Sequence, residues 1–370
     1  MAIFQKIAAV IIAALTTLAN VTGYFGLEVK PDTYKTYKNV ILMIGDGMGE
    51  NHLNSSKLAL GIEELNMETM PVRGQSKTNS LFWMTTDSAA GASALACGIR
   101  NFNGMISTYG LDPLSVFANP KTVTEVAQDL GKATGVVTTD YTAGATPGAF
   151  SSHTYSRDND VIITEQQLAS DIDLIWGGFT GIINEEIATA SGYTYIDTAT
   201  ELEAFDGKTK SFGQFDFGDL EYITNNHDTP HLETLTEKAI EVLSKDEDGF
   251  FLMIEGACID KHSHSNDIEN MYKSFQEFDN AIGIALDFAA EDGETLVIVT
   301  ADHETGGLTY DAENNSYYYT SGSHTNANVP LFVSESDAGF VNGAKYKNRH
   351  IGAQIGLILG AEEGTYPCAK

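Results

Sequence analysis

The sequence predicts an α/β fold with a mostly parallel central sheet and helices on both faces. Short, continuous apolar runs recur along the chain, and amphipathic helical patterns lie between them. Acidic and imidazole residues stand just after those runs, which in such a sheet is the edge where ligands bind.

Taken from the amino terminus, residues 1–26 read as a signal peptide. Lys6 supplies the basic region, Ile7 to Ala19 the apolar one, and cleavage is placed loosely between Ala19 and Gly26. The apolar stretch is short for a membrane span; a retained anchor is the alternative. No second long apolar run follows. The mature protein is therefore expected to lack a stable membrane span and to be periplasmic or secreted. Residues 27–370 are read as a single domain.

Val40-Ile41-Leu42-Met43-Ile44 runs into Gly45-Asp46-Gly47, and Gly135-Val136-Val137 runs into Thr138-Thr139-Asp140. Phe250 to Ile254 runs into Glu255-Gly256, and Leu296 to Val299 runs into Thr300-Ala301-Asp302-His303. Continuous runs of this kind suit strands buried on both faces. Helical spacing covers Thr122 to Leu130, His231 to Leu243 and Ile268 to Ala290. The stretch from about 158 to 226 is rich in Gly, Thr, Tyr and acidic residues; it reads as a capping insertion with poorly defined strands. Tyr310 to Gly322 reads as a surface hairpin or loop.

Composition narrows the function. A chain of 370 residues that is 42% apolar can bury a large core. A net charge of −30 argues against nucleic-acid binding through a basic face. An anionic substrate would need a locally cationic site, and bound metal ions supply one. Cys97, Cys258 and Cys368 are too few for a disulfide scaffold. Cys258 lies among candidate ligands, but a plain buried thiol is the preferred reading.

Asp87 and Ser88 open a run of small, helix-compatible residues through Ala96. A serine there sits over free backbone N–H groups at the positive end of a helix, which suits phosphate. With no histidine adjacent in sequence, a metal is the better activator. From this segment alone, an N-cap serine on a packed helix stays open. Asp260 and His264, four apart, share one helical face and suit zinc, with His262 a competing ligand from the other side of the turn. Asp302 and His303, adjacent at a strand end, can reach one metal. His324 and Arg157 are weak individually, although a guanidinium can clamp phosphate through two bonds. Together these residues offer two carboxylate–imidazole sets beside a serine, as two-metal displacement at phosphorus requires.

The chain resembles the alkaline phosphatase family over most of Asn39 to Val333. The resemblance rests on residues 40–49, the Thr-Asp-Ser-Ala-Ala-Gly-Ala segment at 86–92, and Ala145-Thr146-Pro147 with Arg157. It extends to Glu255-Gly256 with Asp260 and His264, and to Thr-Ala-Asp-His at 300–303. It implies phosphate monoester hydrolysis through a phosphoserine intermediate on Ser88, with two zinc ions and one magnesium. Asp260, His264 and His324 would hold one zinc; Asp46, Ser88, Asp302 and His303 the second; Asp46, Thr146 and Glu255 the magnesium. Arg157 would grip the phosphate, and Lys261 would reach it through water. A homodimer is consistent with the resemblance.

Two positions depart from the family pattern. Gly144 stands where many members carry Asp or His, and Thr305 where some bacterial members carry a second histidine. The alternatives are a phosphodiesterase or sulfatase of the same superfamily, or a non-catalytic secreted protein that binds metal or phosphate. Ala89 and Ala90 after Ser88 argue against a sulfatase, which needs a C/S-x-P-x-R segment.

Overall fold

The computed structural model describes residues 34–109, 119–215 and 229–362. The signal-peptide and anchor readings, and Cys368, lie outside these residues.

From the amino terminus the chain forms β1 (Asn39–Gly45), α1 (Glu50–Leu60), β2 (Val72–Lys77) and α2 (Ser88–Cys97). Then come α3 (Val123–Asp129), β3 (Ala133–Tyr141), α4 (Ala145–Ser151) and α5 (Asp160–Ala169). The next part holds β4 (Leu174–Gly178), α6 (Glu185–Ala190), β5 (Tyr193–Ile196), α7 (Ala199–Ala204) and β6 (Lys210–Phe215). It continues with α8 (Leu232–Leu243), β7 (Phe250–Gly256), α9 (Cys258–His264), α10 (Ile268–Asp292) and β8 (Thr295–Thr300). The last elements are β9 (Glu304–Thr305), β10 (Thr309–Asp311), β11 (Ser316–Tyr318), β12 (His324–Thr325), β13 (Val329–Val333), β14 (Lys345–Lys347) and α11 (Asn348–Leu359).

Ten strands make one sheet in the order β14-β2-β13-β8-β1-β7-β3-β4-β6-β5. All neighbours are parallel except β13, which runs antiparallel to β8 and β2. At its centre every residue of β8, β1 and β7 is buried. That explains the continuous apolar runs: both faces of these strands are covered. Ile41 and Met43 of β1 cluster with Phe275, Phe278 and Ile282 of α10 and with Leu235 and Ala239 of α8. The alternate residues face the opposite layer, where α2 packs against α4 and α11. A fully buried Ile or Phe in such a core contributes about 1.5–3 kcal/mol.

The strands and helices expected near 40, 135, 250 and 296, and near 122, 231 and 268, are all present. The stretch 158–226 differs from expectation. Its described part supplies β4, β6 and β5, three parallel strands that extend the central sheet at one end. Glycines in Leu174-Ile175-Trp176-Gly177-Gly178 and Ser211-Phe212-Gly213-Gln214-Phe215 interrupt the apolar pattern and hide the strands. Around 310–322, β10 and β11 form an antiparallel hairpin. No helix among the described residues is long and apolar enough to cross a membrane.

A partly exposed ion pair ties α3 to the loop after α4. Thr122 and Glu125 form a capping box: the Glu125 N–H donates to Thr122 Oγ1 at 3.1 Å, and the Thr122 N–H donates to Glu125 Oε2 at 2.7 Å. Glu125 Oε1 then accepts from His153 Nε2 at 3.3 Å, while His153 Nδ1 donates to the Ser107 carbonyl at 2.5 Å. Both ring nitrogens act as donors, which is the imidazolium form. Burial disfavours that charge, but Glu125 outweighs it and raises the His153 pKa. A histidine raised in the folded state stabilises fully below its unfolded value, about 6.5, and loses that contribution as pH rises through the folded value. The melting-temperature gap between wild type and Glu125→Gln is therefore expected to be largest near roughly pH 6 and to narrow toward pH 9. A gap that widens with rising pH would contradict the charged pair.

Candidate active site

Parallel strands deliver their carboxyl ends to one edge. In the β1–β7 and β1–β8 registers Ile44 pairs with both Glu255 and Thr300. Asp46, Glu255, Asp302 and His303 consequently emerge together, and all four are buried. Ser88 arrives from the facing layer as the first residue of α2. Its N-cap is Asp87, whose Oδ1 accepts from the Ala90 N–H at 3.0 Å. Asp87 thus takes the capping role, and the Ser88 hydroxyl is free for other partners. Gly91 makes the approach close enough: a Cβ there would lie 2.7 Å from the Asp302 carbonyl oxygen.

Ser88 Oγ lies 3.1 Å from His303 Nε2. The same nitrogen is 3.3 Å from Asp46 Oδ1 and 3.2 Å from Asp302 Oδ2. On the other side of the ring, His303 Nδ1 is 3.2 Å from Thr305 Oγ1, and the Thr305 hydroxyl donates to Asp260 Oδ1 at 2.5 Å. Having given its proton to Asp260, Thr305 accepts from His303 Nδ1–H. This network assigns the tautomer that leaves His303 Nε2 bare. Burial lowers the His303 pKa, which favours the neutral ring.

The neighbouring cluster repeats the device. His264 Nδ1 donates to the Gly322 carbonyl at 2.8 Å, and His324 Nδ1 donates to the Thr86 carbonyl at 2.8 Å. Their Nε2 atoms face each other at 3.0 Å. Asp260 Oδ2 lies 3.3 Å from His264 Nε2, and Asp260 Oδ1 lies 3.7 Å from His324 Nε2. The short β9–β12 ladder, which pairs His324 with Thr305, brings His324 into place. Asp260 raises the His264 pKa to about 9 through a hydrogen bond.

These are acceptors gathered around two points, and the residues fit divalent cations. Asp46 Oδ1 and Asp302 Oδ2 are buried without a hydrogen bond among the described residues. Burial and the charges of Asp302, Asp260 and Glu255 push the Asp46 pKa well up, so the cluster is short of positive charge. Ligand atoms of Asp46, Asp302 and His303 lie within 4.8 Å of one another, as do those of Asp260, His303 and His324. His303 therefore sits between the two groups, more central than its sequence position suggested. Anchored Nδ1–H groups of this kind are the usual outer support of a metal-binding imidazole.

Glu255 accepts a hydrogen bond from Thr138. Burial, then Asp140, pushes its pKa up to about 8. Thr146 Oγ1 is buried beside Glu255, and a hydrogen bond from it partly offsets that rise. Arg157 Nη1 lies 3.3 Å from Asp87 Oδ2, which also accepts from the Gly104 N–H at 2.8 Å. Lys261 pairs with Asp140.

Three residues of the site escaped the sequence reading: Asp87 as the anchor of Arg157, Thr305 as the link between Asp260 and His303, and Asp140. His262 departs from the ligand reading. Its ring is buried, and neither nitrogen has a hydrogen-bond partner among the described residues; it belongs to neither acceptor group. Cys258 is a buried thiol whose pKa burial pushes up to about 11.

Comparison with known proteins gives the class to which this sheet and site belong. The family model described as alkaline phosphatase matches residues 37–181 and 181–355, and the chain belongs to that family. It is a phosphatase. Alkaline phosphatase 3 of Bacillus subtilis is 33% identical over 332 residues, covering 84% of this chain and 70% of that protein. The alkaline phosphatase of Escherichia coli is 30% identical over 388 residues, covering 87% and 80%. A solved mutant of the alkaline phosphatase from the Antarctic bacterium TAB5, with Mg bound in its M3 site, is similar with a TM-score of 0.76 at 30% identity. It covers 89% of this chain and 100% of that chain.

Proposed function

We propose that this phosphatase transfers the phosphoryl group of a monoester to Ser88 and then to water. The observation that carries the reading is the set of three Nε2 atoms converging with carboxylates beside Ser88 Oγ. Asp260, His264 and His324 would hold one zinc; Asp46, Ser88, Asp302 and His303 the other; Asp46, Thr146 and Glu255 a magnesium. Bound there, such cations lower the pKa of a coordinated hydroxyl and offset charge on the attacking and leaving oxygens.

The chain's own residues do the rest. Asp87 fixes α2, so that Ser88 Oγ faces the cluster. A bond forms from Ser88 Oγ to phosphorus as the ester P–O bond breaks, and the alcohol departs with a proton. Water then attacks the phosphoserine, releasing inorganic phosphate and restoring the Ser88 hydroxyl. Arg157, steadied by Asp87, would hold two non-bridging oxygens throughout. Lys261 would neutralise a third. Residues 1–26 support a periplasmic or secreted location in this reading.

A diester lacks one charged oxygen and cannot satisfy the same set. The kcat/KM for p-nitrophenyl phosphate is expected to exceed that for bis-p-nitrophenyl phosphate by roughly a hundredfold or more, about 2.7 kcal/mol of transition-state binding. A preference for the diester would overturn the monoesterase reading.

A further inference from the structure

Gly144, the N-cap of α4, has no side chain to offer the magnesium site. The space beside it is nevertheless filled. A Cβ on Gly144 would lie 2.6 Å from Asp140 Oδ2, 2.9 Å from the Tyr141 carbonyl oxygen and 3.1 Å from Asp140 Cγ. The carboxylate that occupies this position comes from the end of β3, four residues earlier in the chain.

The surrounding bonds hold Asp140 there. Thr138 Oγ1 accepts from the Asp140 N–H at 2.8 Å and donates its own proton to Glu255, so one hydroxyl ties Asp140 to Glu255. Thr138 and Glu255 are themselves paired in the β3–β7 register. On its other side Asp140 pairs with Lys261, whose ammonium also lies 5.3 Å from the centre of the Tyr141 ring. Lys261 directly follows Asp260 on α9. The Asp140 carboxylate therefore stands between the Glu255–Thr146 group and Lys261.

We propose that Asp140 is a positioning residue that replaces the absent side chain at 144: it supports the magnesium held by Asp46, Thr146 and Glu255, and it orients Lys261 toward phosphate. This rests on the magnesium assignment made above. One consequence is specific to this chain. A side chain added at 144 would meet the Asp140 carboxylate, so the two positions compete for one space.

The test uses the zinc-loaded full-length protein, with Mg2+ binding measured by titration calorimetry, zinc content by elemental analysis, and inorganic phosphate affinity by product inhibition. Asp140→Asn and Asp140→Ala are expected to weaken Mg2+ binding by roughly 10–100-fold, as loss of an outer-shell partner does, with zinc content unchanged. Phosphate affinity should fall in both. Gly144→Asp should also weaken Mg2+ binding, because its Cβ would meet Asp140 Oδ2. Asn keeps the shape of the native side chain, so a loss in that variant reports charge rather than misfolding. Wild-type Mg2+ affinity in Asp140→Asn would overturn the proposal. Absence of any Mg2+ binding to the wild-type protein would instead overturn the magnesium assignment itself.

Discussion

Replacing Ser88 by alanine is expected to lower monoester turnover by on the order of 10⁴-fold or more, the scale seen when an enzyme loses its nucleophile. The fold should survive the change. Asp87, not Ser88, caps α2, and the helix is already built from small residues. Ser88 Oγ has one close polar neighbour, His303 Nε2, and that atom keeps its contacts to Asp46 and Asp302. Three protein ligands suffice for a catalytic zinc. Metal content in Ser88→Ala should therefore match wild type, and the residual rate would reflect direct attack by water. Steady-state kinetics beside elemental analysis checks both halves. An unchanged rate would remove Ser88 from the mechanism.

Stripping the metals with a chelator is expected to abolish activity, and zinc should restore it. The same treatment should destabilise the fold. Without cations, the buried Asp46, Asp302, Asp260 and Glu255 face one another, and Asp46 Oδ1 and Asp302 Oδ2 have no hydrogen bond among the described residues. Linkage sets the scale: a cation present at a thousandfold its Kd stabilises by about 4 kcal/mol per site. Thermal unfolding before and after chelation measures this. Full activity and an unshifted melting temperature in metal-free protein would contradict the assignment.

Much of this centre was legible in the sequence, because parallel strands buried on both faces announce themselves as apolar runs and their ends fix where ligands lie. Asp46, Glu255, Asp302 and His303 follow such runs directly, and Asp260 with His264 obeys helical spacing. What stayed hidden depends on chain closure. Asp87 stands beside Ser88 in the sequence, but its grip on Arg157 spans 70 positions. Thr305 registered only as a missing histidine; folded, its hydroxyl joins Asp260 to His303. Gly144 registered only as a missing acid, yet the turn back to β3 lets Asp140 fill the space. The strands of 158–215 were obscured because glycine and polar residues break their pattern. The ladder that seats His324 is only two residues long on each side.

Anomalous diffraction at the zinc edge, from crystals of metal-saturated protein, would locate the cations themselves. Two zinc peaks about 3.5–4 Å apart are expected. One should lie among Asp260, His264 and His324, and the other among Asp46, Asp302 and His303 within bonding distance of Ser88 Oγ. A map with zinc elsewhere, or with Ser88 remote from both peaks, would contradict this placement.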